Sequence, residues 1–187
     1  MFDSFRKKKS DPTVISDMLS KQRRYDSLVR AMHGDIFRYA YWLCGDRHVA
    51  EDITQETFLR AWRSLDSLKD EKAAKAWLIT ILRRENARRF ERKQFDYSDV
   101  EQEQLVDVLS SSTEENVEQH LLRRQIGKLD IEYREPLLLQ LIGGFSGEEI
   151  AQLLDLNRNT VMTRLFRARN QLKEVLEKST VRGQSNG

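Results

Sequence analysis

One cysteine, two prolines and eight glycines are all that this 187-residue chain holds of the residues that crosslink, break or hinge a backbone. The lone Cys44 excludes an intramolecular disulfide and a cysteine metal cluster, and it fits a reducing compartment. Its apolar setting, Tyr41-Trp42-Leu43-Cys44, reads as that of a buried structural thiol. So few Pro and Gly, with few β-branched alternations, predict an all-α protein. No apolar run approaches the roughly 20 residues that span a bilayer, so no membrane insertion is expected. The basic start, Met1 to Lys9, leads into Ser10-Asp11-Pro12 rather than an apolar segment. It reads as a surface arm, not a secretory signal, and a cytoplasmic protein is expected. A glycine-rich phosphate loop is missing. His33, His48 and His120 are scattered, with no carboxylate or cysteine at ligand spacing. Neither a metal nor another cofactor is expected, and nothing resembles a catalytic constellation, so an enzyme is not expected either.

The chain is rich in charge, at 33% Asp, Glu, Lys and Arg, yet its net charge is only +2. The distribution therefore says more than the sum. Between Asp96 and Glu118 there is no Lys or Arg. That stretch carries acidic residues around Ser110-Ser111-Ser112 and reads as a flexible acidic linker. Helical periodicity occupies both sides of it. The plan is two small helical domains: an N-terminal arm over 1–20, a first domain over 21–94, a linker over 95–116, a second domain over 117–178 and a disordered tail over 179–187. Pro136 sits where a helix can begin its first turn.

The segment from Gly143 to Arg169 reads as a helix-turn-helix, a unit that docks a helix in the DNA major groove. Ile150, Ala151 and Leu154 recur at helical spacing, and a polar break follows at Asp155 to Asn157. Val161, Leu165, Ala168 and Leu172 then form a second apolar stripe. Ala151 is small enough for two helices to cross closely. Asp155 takes the turn position that wants a left-handed residue, a conformation Asp tolerates better than most. The face opposite the second stripe carries Asn159, Thr163, Phe166, Arg167 and Asn170, which can reach base edges, thymine methyls and phosphates. Arg164 and Arg169 flank it and suit phosphates. The other reading is a helical hairpin with a solvated basic face.

Two segments of the first domain are informative. In Ala50 to Trp62, Phe58, Ala61, Trp62 and, beyond them, Leu65 turn inward at helical pitch. Asp52 and Glu56 share the opposite face, with Gln55 and Leu59 at its edges. Such a face can receive a basic helix of a partner or stand solvated. In Ala76 to Lys93, Trp77, Leu78, Ile81 and Leu82 make an apolar stripe. The helix then becomes a basic rod with Arg83, Arg84, Arg88, Arg89, Arg92 and Lys93, matched to a phosphate backbone or to a helix C-terminal dipole.

Taken together, these motifs resemble the extracytoplasmic-function sigma factors, the small two-domain bacterial sigma factors. The matching residues are Ala50-Glu51-Asp52-Ile53-Thr54-Gln55-Glu56-Thr57-Phe58-Leu59-Arg60-Ala61-Trp62, then Ala76-Trp77-Leu78 with Ile81, then Glu149-Ile150-Ala151 with Thr160-Val161 and Arg167-Ala168-Arg169. The resemblance covers roughly Gln22 to Leu176. It implies a sigma region 2 bundle and a sigma region 4 helix-turn-helix. It also implies docking on the clamp helices of the largest subunit of core RNA polymerase through Asp52, Gln55, Glu56, Phe58 and Leu59. Lys72, Lys75, Trp77, Arg83, Arg84, Arg88 and Arg89 would open and hold the −10 DNA, a flipped base being captured before Trp77. Arg158, Asn159, Thr160, Met162, Thr163, Arg164, Phe166 and Arg167 would read the −35 duplex, with Leu137, Leu138 and Leu141 on the polymerase flap. The linker would run through the polymerase's positively charged channels. An anti-sigma factor or another restraint is implied for the free protein, modification of Thr54 or Thr57 being one alternative. The chain departs from the family pattern at Val49, Arg84, Glu85, Arg88 and Met162. Two other readings fit the same residues: a helix-turn-helix regulator acting without polymerase, and a helical adaptor that binds proteins only.

Overall fold

The computed structural model describes residues 12–96 and 117–184, and every regular element among them is helical. The acidic linker expected over 95–116 lies, apart from its first two residues, outside the described residues.

Helix α1 spans Pro12–Cys44. It takes in residues 12–20, which were expected to belong to the arm. Pro12 is preorganised for a helix start, and no Pro and only one Gly follow before Gly45 to interrupt the helix. Gly45 ends it with a positive φ of 69°, a conformation that costs glycine nothing. Asp46 then caps α2 (Arg47–Ser64), its carboxylate accepting from the Val49 amide at 3.0 Å. Two 3-10 turns, Leu65–Ser67 and Glu71–Ala73, lead into α3 (Ala74–Asp96). The three helices pack around Ile36, Tyr39, Leu43, Ile53, Leu78 and Leu82, all buried. Phe58, Ala61 and Leu65 turn inward as their spacing predicted, and Trp62 is half-buried under an edge-on contact with Tyr25.

The second domain comprises α4 (Val117–Lys128), α5 (Ile131–Leu141), α6 (Gly147–Leu154) and α7 (Arg158–Gln184). Pro136 lies inside α5 rather than at its start. The helix begins earlier because the Asp130 carbonyl accepts from the Tyr133 and Arg134 amides, each at 2.9 Å. One intrahelical hydrogen bond is forfeited at the proline. Helix α7 continues to Gln184, so most of the expected tail is helical. Leu138, Leu139, Ile150, Val161, Leu165 and Ala168 make the core.

The two domains meet. Tyr39 of α1, fully buried, donates its hydroxyl to Glu135 of α5 at 3.0 Å. Arg83 of α3 pairs with the same Glu135 oxygen at 2.7 Å and donates to the Leu153 carbonyl of α6. Arg134 spans two chain segments, donating to the Gly127 carbonyl at 2.8 Å and to the Leu43 carbonyl at 3.3 Å. Burial lowers the pKa of Arg134 and raises that of Tyr39, with Glu135 adding to the second shift.

Candidate nucleic-acid interface

Helices α6 and α7 and their turn form the helix-turn-helix predicted from spacing. Ser146 caps α6 by accepting from the Glu149 amide, while the Glu149 carboxylate accepts from the Ser146 amide at 2.8 Å. That reciprocal pair holds the Glu149 pKa below its ordinary value. The Ser-Gly-Glu-Glu spacing already carried this capping signal. Asp155 adopts the left-handed conformation, φ 53° and ψ 48°, as its place in the turn demanded. Its amide reaches back to the carbonyls of Ala151 and Gln152. Asn157 then caps α7, its side-chain oxygen accepting from the Thr160 amide at 2.8 Å.

This turn presents one face of α7 to solvent. Arg158, Asn159, Met162, Thr163, Phe166 and Arg167 are exposed on it, while Val161, Leu165 and Ala168 are fully buried beneath. Thr160 and Arg164 are half-buried at its margin. The cations are aimed by neighbours: Arg158 lies 3.6 Å from Glu148, Arg164 3.3 Å from Glu132, and Arg167 reaches the Tyr133 hydroxyl at 3.5 Å. A groove of about 650 Å³ runs along these residues between α7 and the start of α5. Glu132 and Tyr133 came without a sequence signal, because they sit on α5, more than thirty residues upstream of Arg164 and Arg167, whereas Glu148 lies on α6, ten residues before Arg158.

The residues expected at the −10 element are not gathered in this way. Lys72, Arg83 and Arg84 line a cleft whose far wall is Phe145, Glu149, Gln152 and Leu153 of the second domain. Lys75 pairs with Asp35 at 2.7 Å, and Arg88 turns to Glu85 at 2.7 Å. Arg89 is half-buried on the side of Cys44, and Trp77 is half-buried. The family-atypical Glu85 is 8% exposed and is held by Arg60 of α2 at 2.6 Å as well as by Arg88. The charge keeps its place on the apolar side because two guanidiniums compensate it.

On α2, Asp52, Gln55 and Leu59 are exposed, Leu59 at 52%, and Glu56 is half-buried beside Arg60 at 2.9 Å. Phe58 corrects the expected docking set. Its ring is 6% exposed and stacked on His33, so it supports the surface from below. Thr54 and Thr57 are buried too, with Thr57 bonded to the Ile53 carbonyl at 2.7 Å, and neither is accessible to modification in the fold. On the expected flap contact, Leu137 and Leu138 are core residues and only Leu141 is exposed. These assignments came from the family resemblance, and burial in this fold removes them, although spacing alone already turned Phe58 inward. Among the described residues no group of three His, Cys, Asp or Glu could hold a metal ion, and no helix is long and apolar enough to cross a membrane.

Comparison with known proteins follows these boundaries. The family described as Sigma-70 region 2 matches residues 28–96, and that described as Sigma-70, region 4 matches residues 119–172. The ECF RNA polymerase sigma factor SigW of Bacillus subtilis (strain 168) is 30% identical over 168 residues, covering 83% of this chain and 90% of its own length. The chain belongs to the ECF RNA polymerase sigma factors. The ECF sigma factor SigE of Mycolicibacterium smegmatis is 32% identical over 167 residues, and the match spans 62% of that longer protein. Among solved structures, the sigma factor RpoE in complex with the anti-sigma factor NepR from Bartonella quintana superposes with a TM-score of 0.70 at 27% identity, covering 83% of this chain and 98% of that one. CnrH in complex with the cytosolic domain of CnrY gives 0.61 at 26% identity, covering 84% and 90%. The ECF sigma family accounts for both domains in one chain, which an isolated helix-turn-helix regulator does not.

Proposed function

We propose that this ECF sigma factor divides promoter recognition between its two domains. Helix α7 enters the major groove of the −35 element, with Asn159, Thr163, Phe166 and Arg167 towards base edges and Arg158 and Arg164 towards phosphates. The observation that carries this reading is the exposed polar and basic face of α7, set by the Asp155 turn over a fully buried stripe. The first domain docks on the clamp helices of core polymerase through Asp52, Gln55, Glu56 and Leu59. It holds the opened −10 strand with Lys72, Arg83, Arg84 and their basic neighbours on α3, Arg/Lys contacts to phosphates giving salt-sensitive binding. Arg83 is engaged by Glu135 and Leu153, so DNA contact there requires the domains to part. One solved relative is a sigma factor bound by an anti-sigma factor, and another, CnrH, is bound by the cytosolic domain of CnrY, which supports an anti-sigma restraint here.

The test is run-off transcription by purified core polymerase on promoter fragments from the host genome, with and without this protein. New specific transcripts are expected, and Asp52→Arg with Glu56→Arg should abolish them together with co-purification, while the helical content stays unchanged. Duplex binding without any transcripts would instead assign a regulator that acts without polymerase.

A further inference from the structure

On the polar reading face of α7, Met162 and Phe166 stand one helical turn apart, 45% and 63% exposed. Single exposed apolar side chains are ordinary. Two large ones at i, i+4, in the centre of a face otherwise polar, form a patch that binding would cover. The Met162 sulfur lies beside the first residue of α6: a Cβ on Gly147 would stand 3.0 Å from it. Glycine there gives the thioether its room.

The surroundings decide what covers the pair. Asn159 and Thr163 lie on the same stripe, and Arg167 stands next to Phe166, all exposed. Arg158 and Arg164 are held at the flanks by Glu148 and Glu132. A protein partner would have to desolvate these charges in the middle of its contact, where charged residues are depleted. The major groove instead supplies acceptors for the cations and, at each A·T pair, a C5-methyl as apolar target.

Resting on the −35 reading above, we propose that Met162 and Phe166 read thymine C5-methyl groups, so that the second domain selects thymines by apolar contact. Side chains four residues apart on a helix are about 5–6 Å apart at Cβ. Base pairs stack at about 3.4 Å. The pair therefore spans thymines one or two steps apart. The flexible, polarizable thioether adapts to one methyl, and the rigid ring fixes the other.

The experiment replaces each thymine of a −35 element by deoxyuridine, which deletes the methyl and leaves base pairing intact. Holoenzyme is assembled from the full chain and core polymerase, and its affinity is measured on promoters that it transcribes. A loss of about fourfold is expected for each methyl contacted, the factor that corresponds to one buried methylene. Met162→Ala and Phe166→Ala should bind the thymine duplex less tightly by a similar factor and stop distinguishing uracil at one position each. Both residues are exposed, so circular dichroism should show the fold retained. Equal wild-type affinity for thymine and uracil at every position overturns the proposal, as do variants that keep the discrimination. Variants with normal DNA affinity that no longer bind an anti-sigma partner also overturn it and assign the pair to protein docking. If the holoenzyme shows no sequence-specific −35 affinity, the −35 reading itself falls, a result distinct from binding that ignores the methyl.

Discussion

The two domains present their cations in opposite ways. On α7 the expected reading residues share one exposed face, and the acids beside them, Glu148 and Glu132, are surface groups that water and phosphate can displace. On α3 the expected basic residues are dispersed around the helix, and three of them are held: Lys75 by Asp35, Arg88 by the buried Glu85, Arg83 by the half-buried Glu135 of the other domain. A duplex reader works as a rigid surface, so it can be built in advance. On the proposed reading, a surface for a melted strand has its ligand only after the duplex opens, and Lys75, Arg83 and Arg88 rest in internal pairs until then.

The largest effects should come from the two cores. Leu82→Ala and Leu138→Ala each empty a fully buried site and should cost about 2–5 kcal/mol in urea unfolding. If the domain contact is strong, both variants will shift one common transition; separate transitions would show that each domain folds alone. Glu135→Ala leaves the buried Tyr39 hydroxyl without its acceptor and should cost about 1–3 kcal/mol. Glu148→Ala, which removes only the exposed partner of Arg158, should fall within about 0–1 kcal/mol. Equal losses from the two would erase the contrast drawn here. Arg167→Ala should cost roughly 1–3 kcal/mol on the cognate −35 duplex if it contacts a base. A uniform loss on all duplexes, with a shallower salt dependence, would make it a phosphate contact.

Smaller effects concern titration. Burial pushes the Cys44 thiol up to about 11, and its sulfur faces the Asn86 side-chain oxygen at 3.5 Å. The fold therefore favours the neutral thiol. Its contribution is present below the ordinary thiol value and is lost as pH rises towards about 11. Thiol reagents at pH 8 should modify the native chain far more slowly than the urea-unfolded chain. The depressed carboxylate of Glu149 has the opposite sense: its capping contribution is present above the ordinary carboxylate value and fades as the pH falls. An NMR titration of that side chain, with Ser146→Ala as reference, should show the shift shrink as the hydroxyl contact is lost while the backbone amide still donates.

Periodicity made the helices and the inward positions legible, because each is a local pattern. Asp155 shows how far that goes: its place between two apolar stripes demanded a left-handed turn, and the fold has one. Phe58, Leu137 and Leu138 show the limit of the resemblance instead: it put all three at polymerase contacts, whereas each packs into the core, where spacing alone had already turned Phe58. The domain contact was not legible at all. Tyr39, Arg83 and Glu135 are far apart in sequence, and nothing in their types or spacing pairs them.

The most direct test of this division of labour is permanganate reactivity of unpaired thymines combined with nuclease protection, on one promoter, with holoenzymes carrying Arg84→Ala or Arg167→Ala. The account predicts that Arg84→Ala lowers permanganate reactivity near the start site and keeps upstream protection, whereas Arg167→Ala loses the upstream protection first. Equal loss of both signals in both variants would contradict it.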